Sequence, residues 1–226
     1  MAQLIYTGKT KDVYKKDDNT YTLKLKDSAT GKNGVFDTGE NTVALSIDGL
    51  GRESLKITEY YFNKMGEAGL PHHFISCDIN EVTMDVKPAT SFGRGLEFLC
   101  RVKANGSFIK RYGDYVREGE DLDYLTEVTI KNDDKQDPPI TKDALIMLNI
   151  MSEKEYAQCK DITKKATKII NDDMAKKGIV LHDIKFEFGK DKQGKVMIID
   201  EVSAGCLRAY KDGVAIAPID LGGYIL

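Results

Sequence analysis

With 226 residues, 41% of them hydrophobic and 31% charged, the chain holds enough apolar side chains for one sizeable core or for two lobes around a cleft, which sets aside disordered and fibrous classes. A net charge of −3 leaves no footprint for bulk nucleic-acid binding, and no apolar run approaches the roughly 18 residues of a membrane span. Cys77, Cys100, Cys159 and Cys206 are scattered without a C-x-x-C pair, and His72, His73 and His182 lack metal-ligand spacing, so neither a disulfide framework nor a zinc site is expected. The first residues lack the basic and apolar regions of a secretion signal, which makes the cytoplasm the expected compartment.

Short β-like runs open the chain. Leu4, Ile5 and Tyr6 precede Gly8-Lys9-Thr10-Lys11, Val13-Tyr14 follows, and residues 21–25 alternate strictly enough for a half-buried strand. A glycine at a tight turn admits backbone amides close to phosphate, and Lys9 and Lys11 add positive charge on one face. The turn lacks the spacing of a Walker A loop, and an exposed basic turn is the simpler account of it alone. Residues 28–41, with Gly31, Gly34 and Gly39, read as a glycine-rich loop. Leu55, Tyr60, Tyr61, Phe62 and Met65 predict a helix over 52–68, ended by Gly69 and Pro71. Strands are expected near 74–76 and 81–84. Residues 88–95, with one proline and two glycines, are the best connection between two lobes, dividing the chain into 1–93 and 94–226.

Residues 96–102 form a strong strand. Arg101 and Ser107 at its exit suit an anion pocket, because guanidinium grips carboxylate or phosphate in a fork; a basic solvated loop is the alternative. A strand over 124–130 runs into the charged segment 131–139. There Pro138 is expected to hold Asp137 extended, and a fixed carboxylate beside a cleft would serve as a base toward an amine; an ordinary charged loop is the competing account. Ser152 with Glu155 three residues on predicts a capping box at the start of a helix over 152–177, stopped by Gly178.

The most informative stretch comes last. Residues 185–189 alternate Phe186 and Phe188 against Lys185 and Glu187, a polar Gly194-bearing turn follows, and residues 196–199 lead to Asp200-Glu201. Such a hairpin places two carboxylates and an ammonium on one platform, which suits Mg²⁺ and nucleotide phosphates, although an ordinary charged face has the same pattern. Asp183 shares the face of Lys185 and Glu187 by the period of two, and His182 reads as a partly buried strand histidine.

Taken in order, these segments resemble the SAICAR synthetase family. The matching pieces are Gly8-Lys9-Thr10-Lys11-Asp12-Val13-Tyr14, Lys26-Asp27-Ser28-Ala29-Thr30, Glu67-Ala68-Gly69-Leu70-Pro71, Glu97 through Arg101, Gly106-Ser107 with Lys110-Arg111-Tyr112-Gly113, Lys131-Asn132-Asp133 with Asp137-Pro138, residues 183–189, and Asp200-Glu201-Val202-Ser203. The resemblance implies an α+β fold in which an N-terminal antiparallel β lobe covers ATP in an ATP-grasp- or kinase-like cleft above a larger α+β lobe. It implies a purine-biosynthesis ligase that uses ATP and Mg²⁺ to join L-aspartate to the carboxylate of 5-aminoimidazole-4-carboxylate ribonucleotide, giving SAICAR, ADP and phosphate. On that basis Gly8, Lys9, Thr10, Lys11, Val13 and Lys131 would meet ATP, with Lys185 nearby as a catalytic residue, and Glu187 and Asp200 would hold Mg²⁺. Arg101, Gly106, Ser107, Asp183, Ser203 and Arg208 would bind substrates, and Asp137 would be the base on the incoming amine.

The family's Ser-Pro-Asp-x-x-Arg pattern appears here as Ser203-Ala204-Gly205-Cys206-Leu207-Arg208, its Lys-Gly-x-x-Asn-Asn segment as Leu50-Gly51-Arg52-Glu53-Ser54, and its basic Asp-Lys-Asp-Arg-Phe-Arg stretch and final helix are not found. A ligase acting on another carboxylic acid, a small-molecule kinase and an inactive nucleotide-binding protein are the rival readings. The expected partners are small molecules (ATP, an amino acid such as aspartate, a carboxylate nucleotide) and, in principle, a second copy of the chain; nucleic acid and membrane are not expected.

Overall fold

The computed structural model describes residues 2–36 and 42–226. Three strands, β1 (Gln3–Thr7), β2 (Lys11–Lys15) and β3 (Tyr21–Leu25), form an antiparallel meander. β4 (Ser28–Lys32), β5 (Val35–Phe36) and β6 (Val43–Ser46) make a small second sheet, and α1 (Leu50–Glu67) precedes β7 (Phe74–Asp78) and β8 (Thr83–Val86), which complete the first sheet in the order β1-β2-β3-β8-β7. The expected loop over 28–41 is therefore corrected for its described part. Lys32 pairs with Val35 across Asn33 (φ 53°) and Gly34 (φ 76°), two left-handed residues that match the twist of a two-residue hairpin; Gly39 lies outside the described residues. Asp27 ties the two parts together, accepting the Gly49 and Gly51 N–H groups at 3.1 and 2.8 Å and so serving the otherwise bare start of α1.

The second half contains β9 (Thr90–Ser91), β10 (Leu96–Lys103), α2 (Ser107–Tyr112), β11 (Asp121–Ile130), α3 (Lys142–Met147), α4 (Glu153–Ala175), β12 (Ile179–Lys190), β13 (Val196–Ile199), β14 (Leu207–Lys211), β15 (Val214–Ala215) and the short α5 (Leu221–Ile225). The sheet runs β11-β10-β12-β14-β15, with β13 and β9 paired to the far half of β12. The capping box at Ser152 is present in both directions, and Gly178 (φ 70°) follows the last turn of α4. No described helix is long and apolar enough to cross a membrane.

Register makes this sheet two-faced. Phe98 pairs with Phe186 and Val128, and Cys100 with Ile184. These side chains are buried with Cys159, Ile162, Ala166 and Ile170 of α4, which packs on β10 and β12. On the other face Glu97 pairs with Glu187 and Thr129, Leu99 with Lys185 and Glu127, and Arg101 with Asp183. The expected pattern at 185–189 is thus observed, with one addition. The buried apolar side chains of β12 run Ile179, Leu181 and then Ile184, Phe186, Phe188, and the register shift between Leu181 and Asp183 marks a bulge at His182 that switches the phase.

The two sheets meet at residues 71–73. Ile198 N–H donates to the Pro71 carbonyl at 2.9 Å, His73 N–H donates to the Ile198 carbonyl at 3.0 Å, and His73 Nε2 donates to the Asp200 carbonyl at 2.9 Å. Burial, chiefly, pushes the His73 imidazole down to about 4. Below an ordinary histidine value of about 6.5 the unfolded chain takes up a proton that the folded chain refuses until about pH 4, so this group's contribution to stability is fully present above pH 6.5 and falls as pH drops through that window, by at most about 3 kcal/mol. His73→Gln keeps an amide donor for the Asp200 carbonyl but does not titrate. Urea denaturation at pH 7, 6 and 5 is expected to show a flatter pH dependence for this variant than for the parent; parallel curves would disprove the assignment.

Candidate active site

A cavity of about 210 Å³ opens between the two sheets, and Gly8, Lys9, Thr10, Lys11, Lys131, Glu187 and Asp200 all line it. The Gly8–Lys11 turn is closed by a Gly8 N–H to Lys11 carbonyl bond of 2.8 Å, and Lys26 braces it by donating to the Gly8 carbonyl at 2.9 Å while pairing with Asp12 at 2.6 Å. A Cβ at Gly8 would lie 2.9 Å from the Lys11 carbonyl oxygen, so this turn has room only for glycine. Lys11 reaches across the cleft to the carboxylates of Asp200 and Glu201, Lys131 pairs with Glu187 at 2.5 Å, and Lys9 with Asp133 at 2.6 Å. Glu187 sits opposite Ile199, one residue short of Asp200, and the left-handed backbone at Asp200 (φ 71°) breaks the strand there.

Three carboxylates in one mostly buried cluster repel one another. Burial first, then the charge of Asp200, pushes Glu187 up to about 8. Glu201 is also raised, by burial and by Asp200. At Asp200 burial acts in the same direction but is outweighed by Lys11 and Lys131, which hold it far below the usual carboxylate range. The lysines respond inversely. Burial lowers Lys11, Lys131 and Lys185, yet their carboxylate neighbours carry all three above the ordinary lysine value. Among the described residues no three or more His, Cys, Asp or Glu side chains form a complete metal-binding set.

A second cavity of about 150 Å³ adjoins the first and is lined by Ser107, Arg111, Asp183 and Arg208. Glu97, Asp137, Lys185 and Cys206 line both. The expectation that Asp137 is extended is wrong. It is left-handed (φ 46°), because its N–H donates to the Asn132 carbonyl at 3.1 Å and its Oδ1 accepts the Asn132 N–H at 2.6 Å, a closed turn that overrides the preference set by Pro138. Ile130 N–H donates to the Pro138 carbonyl at 3.0 Å and returns the segment to β11. Asp137 is thereby held at the junction of the two cavities.

Arg101 lies beneath the second cavity, behind Asp183, which lines it. Arg101 is only 1% exposed and its fork is fully engaged, with Glu127, with Asp183 at 2.8 Å and with Ser107 Oγ at 3.0 Å. Arg208 also donates to Asp183, at 2.8 Å. Arg101 is thus held by three partners, and removing one partner of a buried pair costs about 3–5 kcal/mol. Gly106 does not line the cavity either. It has φ 54° and ψ −127°, and a Cβ there would come within 2.9 Å of the Arg208 guanidinium, so its bare backbone is the surface on which Arg208 rests. Ser203 lines the first cavity with its Oγ accepting the Gly205 N–H at 3.2 Å, and Val13 packs against the core instead of facing the cleft.

Sequence reasoning passed over Glu97, Glu127, Arg111 and Glu201 as site residues. Glu97 is 6% exposed, and its carboxylate accepts from Lys185 and Thr129, each at 3.0 Å. A charged residue among Leu96, Phe98, Leu99 and Cys100 was the available signal. Glu127 joins Arg101 to Arg111. Cys206 at the junction is pushed up to about 12, by burial and then by Glu201, and is an inert thiol.

A family model described as SAICAR synthetase matches residues 4–215. The chain belongs to the SAICAR synthetase family. A relative from Clostridium tetani named phosphoribosylaminoimidazole-succinocarboxamide synthase is 52% identical over 224 residues, 99% of each chain. A solved SAICAR synthetase (Type-2) in complex with ADP superposes with a TM-score of 0.82 at 30% identity, covering 93% of this chain and 86% of that one. The Ehrlichia chaffeensis phosphoribosylaminoimidazole-succinocarboxamide synthase gives 0.84 at 26% identity, covering 94% and 88%. The α+β fold with antiparallel sheets is thus the SAICAR synthetase fold.

Two glycines separate strain from crowding. Gly69 has φ 74° and open space around its missing Cβ, whereas Gly106 adds the Arg208 clash to a left-handed φ. Gly69→Ala is expected to cost about 1 kcal/mol and Gly106→Ala about 2–3 kcal/mol by urea denaturation. Equal losses would show that Arg208 does not depend on that space.

Proposed function

We propose that this protein is an ATP-dependent ligase that joins L-aspartate to the carboxylate of 5-aminoimidazole-4-carboxylate ribonucleotide, giving SAICAR, ADP and phosphate. The observation that carries the reading is the meeting of two cavities at Glu97, Asp137, Lys185 and Cys206, one walled by lysines and carboxylates and the other by Arg111, Arg208, Ser107 and Asp183. A phosphoryl acceptor and a phosphoryl donor must share such a boundary.

In this reading Gly8, Lys9, Thr10, Lys11 and Lys131 receive the ATP phosphates, Val13 acts only through the packing of β2, and the N-terminal sheet (within 1–93) closes over the nucleotide held by 94–226. Glu187 and Asp200 would hold Mg²⁺. Their donor set fits, because Mg²⁺ takes one or two carboxylates together with substrate phosphates instead of a full protein cage. When bound, the ion supplies further charge neutralisation on those phosphates. Lys185, anchored on Glu97, steadies the carboxylate of the acid substrate at the junction. That carboxylate oxygen attacks the γ-phosphorus and ADP leaves. The aspartate amine then attacks the acyl carbon, phosphate leaves, and Asp137 takes the proton shed by the nitrogen. Arg208, Ser107 and Ser203 bind the substrates, with Arg101, Asp183 and Gly106 setting their positions. Holding two reactants in line accounts for most of the rate in a reaction of this kind.

ADP release from the purified protein is the direct test. Turnover is expected with Mg-ATP, aspartate and the imidazole carboxylate nucleotide together, and not when the nucleotide is withheld. A full mixture without turnover refutes the proposal. Asp137→Asn is expected to lower kcat by about 10²–10⁴-fold with ATP binding retained. Glu187→Ala should abolish the Mg²⁺-dependent part of the thermal stabilisation by ADP; an unchanged shift would reject the metal assignment.

A further inference from the structure

Behind the second cavity lies a polar cluster that the reaction scheme leaves without a task. Asn105, 6% exposed, donates through Nδ2 to His182 Nδ1 at 2.8 Å and to the Tyr210 hydroxyl at 2.9 Å, and its Oδ1 accepts the Gly106 N–H at 2.5 Å. The His182 and Tyr210 rings stack with centroids 4.0 Å apart. With Oδ1 used by the Gly106 N–H, Asn105 presents two donors, and both neighbours must accept. His182 therefore carries its proton on Nε2 and a lone pair on Nδ1. Burial, the largest influence, lowers the imidazole pKa and favours that neutral form.

Each arm of the cluster ends on a part of the site. His182 is the bulged residue that switches β12 from burying Leu181 to presenting Asp183 and Lys185. Gly106 is the residue on whose missing Cβ the Arg208 guanidinium rests, and Ser107 follows it. Tyr210 lies two residues beyond Arg208 on β14. None of the three cluster residues lines either cavity.

We infer that Asn105, His182 and Tyr210 form a positioning clasp that holds the β12 bulge, the Gly106 turn and Arg208 in one arrangement, and so sets the affinity for the acid substrate independently of the ATP side. The clasp's kinetic consequence rests on the ligase reading; its structure does not. Lys11, Lys131, Glu187 and Asp200 lie at the other end of β12 or across the cleft, and no cluster hydrogen bond reaches them.

Two kinds of measurement test the clasp. In the ligase assay Asn105→Ala is expected to raise KM for the imidazole carboxylate nucleotide about tenfold while KM for ATP changes less than about twofold. Equal changes in both, or none, would overturn the clasp. Tyr210→Phe, which keeps the ring stack and removes one acceptor, is a milder variant expected to shift the same KM by about threefold in the event that Asn105→Ala does not fold. Independently of turnover, ¹⁵N NMR of the histidine rings should show His182 as the Nε2–H tautomer, and Asn105→Asp, which replaces the donor by an acceptor, should move the proton onto Nδ1. An unchanged His182 spectrum in Asn105→Asp, or an unmoved Arg208–Asp183 pair in a crystal structure of Asn105→Ala, would refute it. Should the parent show no turnover at all, the ligase reading fails, and the tautomer and crystal measurements alone decide the clasp.

Discussion

A strand must alternate its side chains between two faces, and here one strand serves a core and a charged site at once. β12 carries Ile184, Phe186 and Phe188 into the packing against α4 and turns Asp183, Lys185 and Glu187 toward the cleft. A shift of one residue would turn three charged groups into the apolar packing against α4 and three large apolar groups out of it, so the apolar face fixes the register of the charged one. Several of the other candidate groups are placed relative to this strand: Glu97 and Arg101 across from it on β10, Asp200 at the end of β13, and Arg208 on β14. The bulge at His182 reconciles the two halves of β12, whose buried apolar residues fall on odd positions before it and even positions after it.

The second constraint is electrostatic. Charges are held wholly or partly out of bulk water on both sides of the site, and each is offset by a partner: Arg101 by Asp183 and Glu127, Lys185 by Glu97, Lys11 by Asp200 and Glu201, and the more exposed Lys131 by Glu187. Isolated burial of any of them would be prohibitive. The pairing also produces a poised arrangement. In the proposed reading, Mg-ATP entering the cleft would exchange these lysine–carboxylate pairs for lysine–phosphate and carboxylate–metal pairs.

Parts of this were legible in the residues. Ser152 and Glu155 make a capping box with local bonds only, so its reading needs no tertiary knowledge. The alternation over 185–189 is equally local. Asn33-Gly34 was legible and overlooked, because the surrounding glycines suggested a loop, whereas two adjacent left-handed residues between short strands make a hairpin. Asp137 misled in the opposite sense. The steric effect of Pro138 is real, but Asn132, five residues back, closes a turn around it with two hydrogen bonds. Arg101 at a strand exit suggested an anion pocket, while its burial depends on Glu127 and Asp183 arriving from other strands, which local pattern does not record.

By itself, then, the sequence determined which side chains could share a face, where the long helix begins, and the ordered motifs that resemble the SAICAR synthetases. Those properties depend on neighbours a few residues apart or on the order of segments along the chain. The tertiary structure alone decided which charges are struts and which line the cleft, that Glu97, Asp137, Lys185 and Cys206 join two cavities, and that Asn105, His182 and Tyr210 meet. Asn105 and Tyr210 are 105 residues apart, and Lys11 and Glu201 are 190. Contacts of that span exist only once strand register and buried apolar faces have brought distant segments together, and local pattern carries no record of them.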